Sequence, residues 1–138
     1  MKLAISLSAA VFAASIIGCG GAPEGPKTAP VTGQVTLDGE PVAEGEIIFR
    51  PSEGGDGRSD AGAIRNGNYT MESTLGAKRV EIRAMRPVAG AVEETLETGE
   101  TGIAVEQYIP EKFNDKSELT ADVQDSADNK IDFALTTE

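Results

Sequence analysis

VTGQVTLDGEPVAEGEIIFRP, Val31 to Pro51, is the stretch that decides the fold class. Its first seven residues alternate. Val31, Gly33, Val35 and Leu37 fall on one side of an extended chain, and Thr32, Gln34 and Thr36 fall on the other. A period of two with one apolar side is the pattern of a half-buried strand. Asp38-Gly39 then supplies a tight turn, because Asp and Gly accept the positive φ that two-residue hairpin loops require. Glu46 to Arg50, EIIFR, reads as a second strand. Pro51 ends it, having no N–H to give to a ladder.

The same grammar continues downstream. Ser52 to Asp60 is a Gly-rich acidic loop. Ala61 to Arg65 and Asn68 to Glu72 are two extended runs joined by Asn66-Gly67, a signature of a type I′ turn. Leu75-Gly76 turns the chain into Lys78 to Ala84. There Val80, Ile82 and Ala84 make a dry side, and Arg79, Glu81 and Arg83 a wet one. Arg86-Pro87 closes that run. Val88 to Gln107 is the least regular part and reads as a long acidic loop, allowing one helical turn near Val92 to Leu96. Two closing strands follow: Leu119, Ala121 and Val123 alternate, then Ile131, Phe133 and Leu135, with Asp125 to Asn129 as the turn between them. Short strands at regular spacing with turn residues between them argue an all-β, antiparallel sandwich. No long stretch after Val31 sustains a 3.6-residue period, which disfavours a helix bundle.

Upstream of Val31 the chain has a different character. Lys2 is followed by LAISLSAAVFAASII, Leu3 to Ile17, apolar and uncharged. As a helix this run is about 22 Å long at ~1.5 Å per residue. That is short of the ~30 Å hydrocarbon core of a bilayer. A positive start, a short apolar centre and small residues at its end describe a secretory signal peptide. The chain's one cysteine, Cys19, stands directly after it in Ile16-Ile17-Gly18-Cys19. With no partner for an internal disulfide, Cys19 calls for another role. These four residues resemble the bacterial lipobox. The resemblance implies cleavage between Gly18 and Cys19 and a diacylglyceryl group on the Cys19 sulfur. One acyl chain holds a protein only marginally at a membrane, and two or more hold it stably. Gly20 to Pro30, GGAPEGPKTAP, then reads as a tether. The expected organisation is a lipoprotein signal peptide over 1–18, the lipidated cysteine and tether over 19–30, and a sandwich domain over 31–138.

Composition narrows the function. The chain carries 12 basic and 23 acidic residues, a net charge of −11, and loss of residues 1–18 removes one positive charge more. Such a surface repels nucleic-acid phosphate and gives no polybasic help at anionic lipid. There is no Trp and no His, so the commonest general base and the commonest metal ligand are missing. Without a second cysteine, the fold must rest on core packing.

The pattern of Val31, Gly33, Val35, Asp38, Gly39, Pro41, Val42, Ile47 and Phe49 resembles the opening of transthyretin-like, carboxypeptidase-regulatory-like β-sandwich domains. Gly67, Tyr69 and Met71 match a Gly-x-aromatic-x-aliphatic element of the same family. YIPEKFND (108–115), with ELTADV and NKIDFAL after it, is similar to the C-terminal part of small bacterial lipoproteins that carry this domain. The resemblance is weakest over Val88 to Glu106. It implies a seven-stranded Greek-key sandwich that is non-enzymatic in most relatives, and no cofactor is expected for this chain.

Sharper readings attach to a few residues. Asp38-Gly39 could form a ligand loop, though a plain turn accounts for it. Glu53, Asp56 and Asp60 could hold Ca2+, a hard ion that takes six to eight oxygens, but EF-hand spacing is absent. Tyr69, Tyr108 and Phe113 could stack on a sugar. No Gly-x-Ser-x-Gly elbow occurs, and the hydrolases and dioxygenases with similar sandwiches use histidines that this chain lacks. A glycosidase-type carboxylate pair is permitted by residue type alone. The expectation is therefore a non-enzymatic module, anchored to the membrane by lipid outside the cytoplasm, with a structural or protein-interaction role. The alternative is a carbohydrate-binding module that recognises an envelope glycan.

Overall fold

The computed structural model describes residues 24–53 and 57–138. Gly18 and Cys19, and with them the expected signal peptide and lipid site, lie outside the described residues. The described residues form thirteen strands: β1 (Thr28–Leu37), β2 (Glu40–Pro41), β3 (Glu44–Pro51), β4 (Asp60–Arg65), β5 (Asn68–Thr74), β6 (Gly76–Arg83), β7 (Met85–Pro87), β8 (Glu94–Thr95), β9 (Thr101–Gly102), β10 (Val105–Gln107), β11 (Thr120–Val123), β12 (Asn129–Lys130) and β13 (Phe133–Leu135). A 3-10 turn spans Glu111–Phe113. Among the described residues no helix is long and apolar enough to cross a membrane. The all-β class is present, and so are the strands expected from the alternating runs, except that the last run is broken at Ile131–Asp132 into β12 and β13.

Nine strands join one sheet in the order β11-β6-β3-β4-β5-β1-β12, with β13 and β2 also paired to β1. A flat sheet with ~4.8 Å between strands would set its two edge strands about 29 Å apart. Yet only Gln124 to Asp128 separate β11 from β12. Asn129 closes this gap. Its Oδ1 accepts from Gln124 N at 2.9 Å, and its Nδ2 donates to the carbonyls of Gln124 (3.0 Å), Ser126 (2.9 Å) and Pro30 (3.2 Å). The two edges are thus brought together, and the sheet curls into a half-barrel around one core.

The inward positions are those the alternation picks out. Val31, Val35, Ile47, Phe49, Val80 and Ile82 are fully buried. Phe49, Tyr69 and Phe133 pack ring against ring, with centroids 6.4–6.5 Å apart. Burial pushes the Tyr69 phenol pKa up, with the Asp132 carboxylate adding to the effect. Its hydroxyl donates to the Ile131 carbonyl at 2.6 Å. Both two-residue loops use positive φ as their sequences require: Asp38 51° and Gly39 86°, Asn66 49° and Gly67 76°.

Three expectations are corrected. The tether does not extend to Pro30, because Thr28, Ala29 and Pro30 already pair with Thr74, Ser73 and Glu72, and Ala29 is buried. The pairing is not antiparallel throughout, since β12 and β13 run parallel to β1. That follows from the crossing at Gln124–Asp128, which delivers the chain to the far edge heading the same way as β1. Finally, Val92–Leu96 holds no helical turn. Glu94 and Thr95 pair with Gly102 and Thr101 instead, closed by a turn with Gly99 at φ 84°.

Candidate functional site

The path of the chain defines two poles. Leu75 N donates to Lys27 O at 3.2 Å, so the described chain enters beside the start of β6. From there β6 runs eight residues, about 26 Å at ~3.3 Å each, to the opposite end. At that far pole the Asn66-Gly67 turn docks on the bend before β3: Asn66 N donates to Ala43 O and Gly67 N to Val42 O. Here the chain leaves the sheet. Gln107 Oε1 accepts from Ala84 N (2.9 Å) and Ile109 N (3.2 Å), taking up the backbone donors where β6 ends.

What leaves is an arm, Met85 to Gln107. Its base is the β7–β10 ladder, with Met85, Arg86 and Pro87 opposite Gln107, Glu106 and Val105. Its outer part is the β8–β9 pair. Arg86 is held to Glu106 at 2.8 Å and lies over the Tyr108 ring at 5.3 Å from the centroid. The segment read from sequence as an acidic loop is thus a two-stranded ribbon. Among the described residues, the exposed large hydrophobics all lie on it: Met85, Val88, Val92, Leu96, Ile103 and Val105, with Val92 71% and Leu96 57% exposed. Scattered exposed apolar residues are ordinary, but here those of the described residues all fall on one segment. Glu93, Glu94, Glu97 and Glu100 stand among them, and none forms an ion pair with a described cation.

An open cleft of about 600 Å3 at the arm's base is bordered by Glu44, Arg65, Met85, Arg86, Pro87 and Tyr108 among others. Of the three aromatics considered for sugar stacking, Tyr69 is in the core and Phe113 lies beneath Lys112 Nζ, 5.0 Å from its centroid. Only Tyr108 borders this cleft, and the Arg86 guanidinium occupies one face of its ring.

Asp38 stands in the turn expected of it, whereas Asp60 is buried rather than part of a solvated loop. Asp38 lies in its turn, with its carboxylate accepting from Thr137 N (3.0 Å) and Oγ1 (2.8 Å), which lowers its pKa. Asp60 is buried and accepts from Thr74 N (2.8 Å), Thr74 Oγ1 (3.0 Å), Ser73 Oγ (3.2 Å) and Arg58 Nε (2.8 Å). Its oxygens serve the fold rather than an ion. Asp56 lies outside the described residues, and no three potential ligands cluster among those described. Lys78, also buried, donates to Thr74 Oγ1 at 2.5 Å.

The sequence reading missed one arrangement. Glu81, on the wet side of β6, is buried. Three guanidinium groups converge on it: Arg50 Nε at 2.7 Å, Arg79 Nη2 at 2.8 Å and Arg83 Nη2 at 3.3 Å. Arg83 also reaches Asp115 at 2.7 Å. The register puts Arg50 opposite Arg79 and Ile48 opposite Glu81, so all share the outer face. Arg79-x-Glu81-x-Arg83 was visible as one face of a strand. Arg50 was not, because register is a long-range property.

Both buried carboxylates ionise more readily than usual. For Asp60, burial opposes the charge, but the Thr74 N–H, Arg58 and the two hydroxyls outweigh it. For Glu81, burial is outweighed by Arg50, then Arg79 and Arg83. A carboxylate with a depressed pKa stabilises the fold above its unfolded pKa and loses that contribution as pH falls through the folded one. Urea midpoints should therefore hold down to the ordinary values of 4.5 for Glu and 3.8 for Asp, then fall as pH drops below them. Asp60→Asn should flatten part of that slope. A midpoint unchanged at pH 3 would contradict the linkage.

No protein-family model matches the sequence, and no curated protein matches it. One solved structure with a weak likeness is a 9R-lipoxygenase from Cyanothece PCC8801, 15% identical, with a TM-score of 0.36. The match covers 80% of this chain and 16% of that one, so the chain spans a small part of its length. At that score the likeness carries no functional argument.

Proposed function

We propose that this chain is a non-enzymatic envelope lipoprotein, held at a membrane through lipid on Cys19, whose arm engages a protein partner. The observation that carries the reading is polar: the chain enters at one pole, and the arm with its exposed apolar side chains leaves at the other. An anchor before Thr28 would then present the arm away from the membrane, on a sheet rigid enough to hold it. Loops on rigid scaffolds are where binding commonly resides. The absence of histidine and the engagement of Asp60 and Glu81 by fold-holding donors support a role without catalysis.

Two readouts on the full chain in its native membrane test this. Intact mass of the membrane fraction should show diacylglyceryl on Cys19, and Cys19→Ser should strand an unprocessed precursor. A photo-reactive residue at Leu96 should yield discrete protein adducts, weakened by salt, whereas one at Thr70 on the sheet should not. An unmodified Cys19, or equal adducts at both positions, would overturn the proposal. Glycan binding on an array that Tyr108→Ala removes would select the carbohydrate-binding alternative.

A further inference from the structure

Four carboxylates within Glu93 to Glu100 stand on the arm without a cation, and three guanidiniums gather on the outer face of β3 and β6. The two features are complementary. Arg50 uses only Nε toward Glu81, and Arg79 only one terminal nitrogen, so both keep outward donors. Arg83 is taken up by Glu81 and Asp115, and its Nε is buried without an acceptor among the described residues. The buried Glu81 fixes all three guanidinium planes, which removes much of the ordering cost of meeting a new carboxylate. Glu81, Asp115 and Glu46, which lies opposite Arg83 in register, offset the three guanidinium charges, so what the face offers a carboxylate is the unused donors of Arg50 and Arg79. Half-buried Ile48 lies within it and offers an apolar spot beside the charges. An acidic, apolar strand segment is the ligand such a face fits, and the arm tip VEETLETGE, Val92 to Glu100, has that composition.

We infer that the arm of one copy docks on the arginine face of a second copy. This rests on the arm being the binding element proposed above, and it names the partner. Copies held on one membrane by equivalent anchors meet at high local concentration, which favours even weak contacts. Because arm and face are different surfaces, the contact is head-to-tail and extends into open rows rather than closing as a symmetric dimer.

The chain's single cysteine makes the test clean. Full chains carrying Leu96→Cys and Thr120→Cys are co-expressed, and mild oxidation is applied to intact membranes. Thr120 pairs with Arg79 in register and is exposed, so it reports on the face. A disulfide-linked dimer is expected from the mixed pair, and a ladder of multimers from one chain bearing both cysteines. Leu96→Cys paired with Thr70→Cys should give none. Converting Glu93, Glu94, Glu97 and Glu100 to Lys should lower the cross-linked fraction about tenfold or more, since several exposed pairs of small individual worth are reversed. These arm residues are exposed, so the fold is not at stake. Monomer alone from the mixed pair would overturn the inference, as would Leu96→Cys dimers formed without a face cysteine. If photo-adducts from Leu96 contain a different protein and no second copy, the inference fails while the proposed function stands. If Leu96 yields no protein adduct at all, both fail.

Discussion

Gly33→Ala is expected to cost about 4 kcal/mol or more, in the range that marks a steric failure rather than an ordinary substitution. A Cβ at Gly33 would lie 1.8 Å from the Ile131 carbonyl oxygen, 2.7 Å from its carbon and 2.8 Å from Tyr69 Cε1. None of these groups can step aside cheaply. The Ile131 oxygen accepts the Tyr69 hydroxyl at 2.6 Å, while Ile131 N donates to Thr32 O at 2.8 Å. Asp132 Oδ1 accepts from Gln34 N at 2.8 Å. The break between β12 and β13 is therefore stitched down over Gly33, with the Tyr69 ring laid across it. An added methyl must push the last two strands away from β1. That would uncover Phe133 and Leu135 and leave several of these hydrogen bonds unmade. With total stabilities of about 5–15 kcal/mol for such domains, much of the fold's margin would go. Urea unfolding followed by circular dichroism measures this. Gly102→Ala is the control: no heavy atom lies within 4 Å of its added Cβ, and the change should stay within about 0.5 kcal/mol. Equal midpoints for the two variants would show that the closing strands can slide.

Gly33 also shows what the sequence made legible. The Val-x-Gly-x-Val pattern carried the family resemblance, and alternation alone placed Val31 and Val35 inside. Why the middle position must be glycine was not readable, because Ile131 and Tyr69 approach it from 98 and 36 residues away. Strand existence and the two turn sequences followed from local rules. The curl, the Asn129 latch and the parallel entry of β12 did not, since they depend on which edges meet. The burial of Glu81 was hidden for the same reason: one face of one strand looks solvated until the neighbouring strand brings Arg50 across it. In the arm the reading failed differently. Glu-rich stretches without clear periodicity look like loops, and two short ladders of two and three pairs leave too little alternation to detect.

Phe133→Ala should destabilise the fold by about 3–5 kcal/mol, the usual cost of emptying an aromatic site in a core. Phe133 is 7% exposed and sits opposite Val35 on β1. Its ring meets Phe49 edge-on, at 85° and 6.5 Å, and tilts against Tyr69 at 33° and 6.5 Å. β13 is only three residues long, so its docking depends on Phe133 and Leu135. Truncating Phe133 leaves the strand one large anchor and opens a cavity beside two rings that cannot both move into it. Leu96→Ala is the informative comparison. Leu96 loses a similar apolar body, yet it is 57% exposed at the arm's tip, and its change should stay within about 0.5 kcal/mol. The pair separates apolar residues that hold the domain together from those free to meet something else. Thermal or urea unfolding of both variants decides it. A small cost at Phe133 would mean the half-barrel does not rely on its closing strand, and a large cost at Leu96 would mean the arm is packed against the fold rather than displayed.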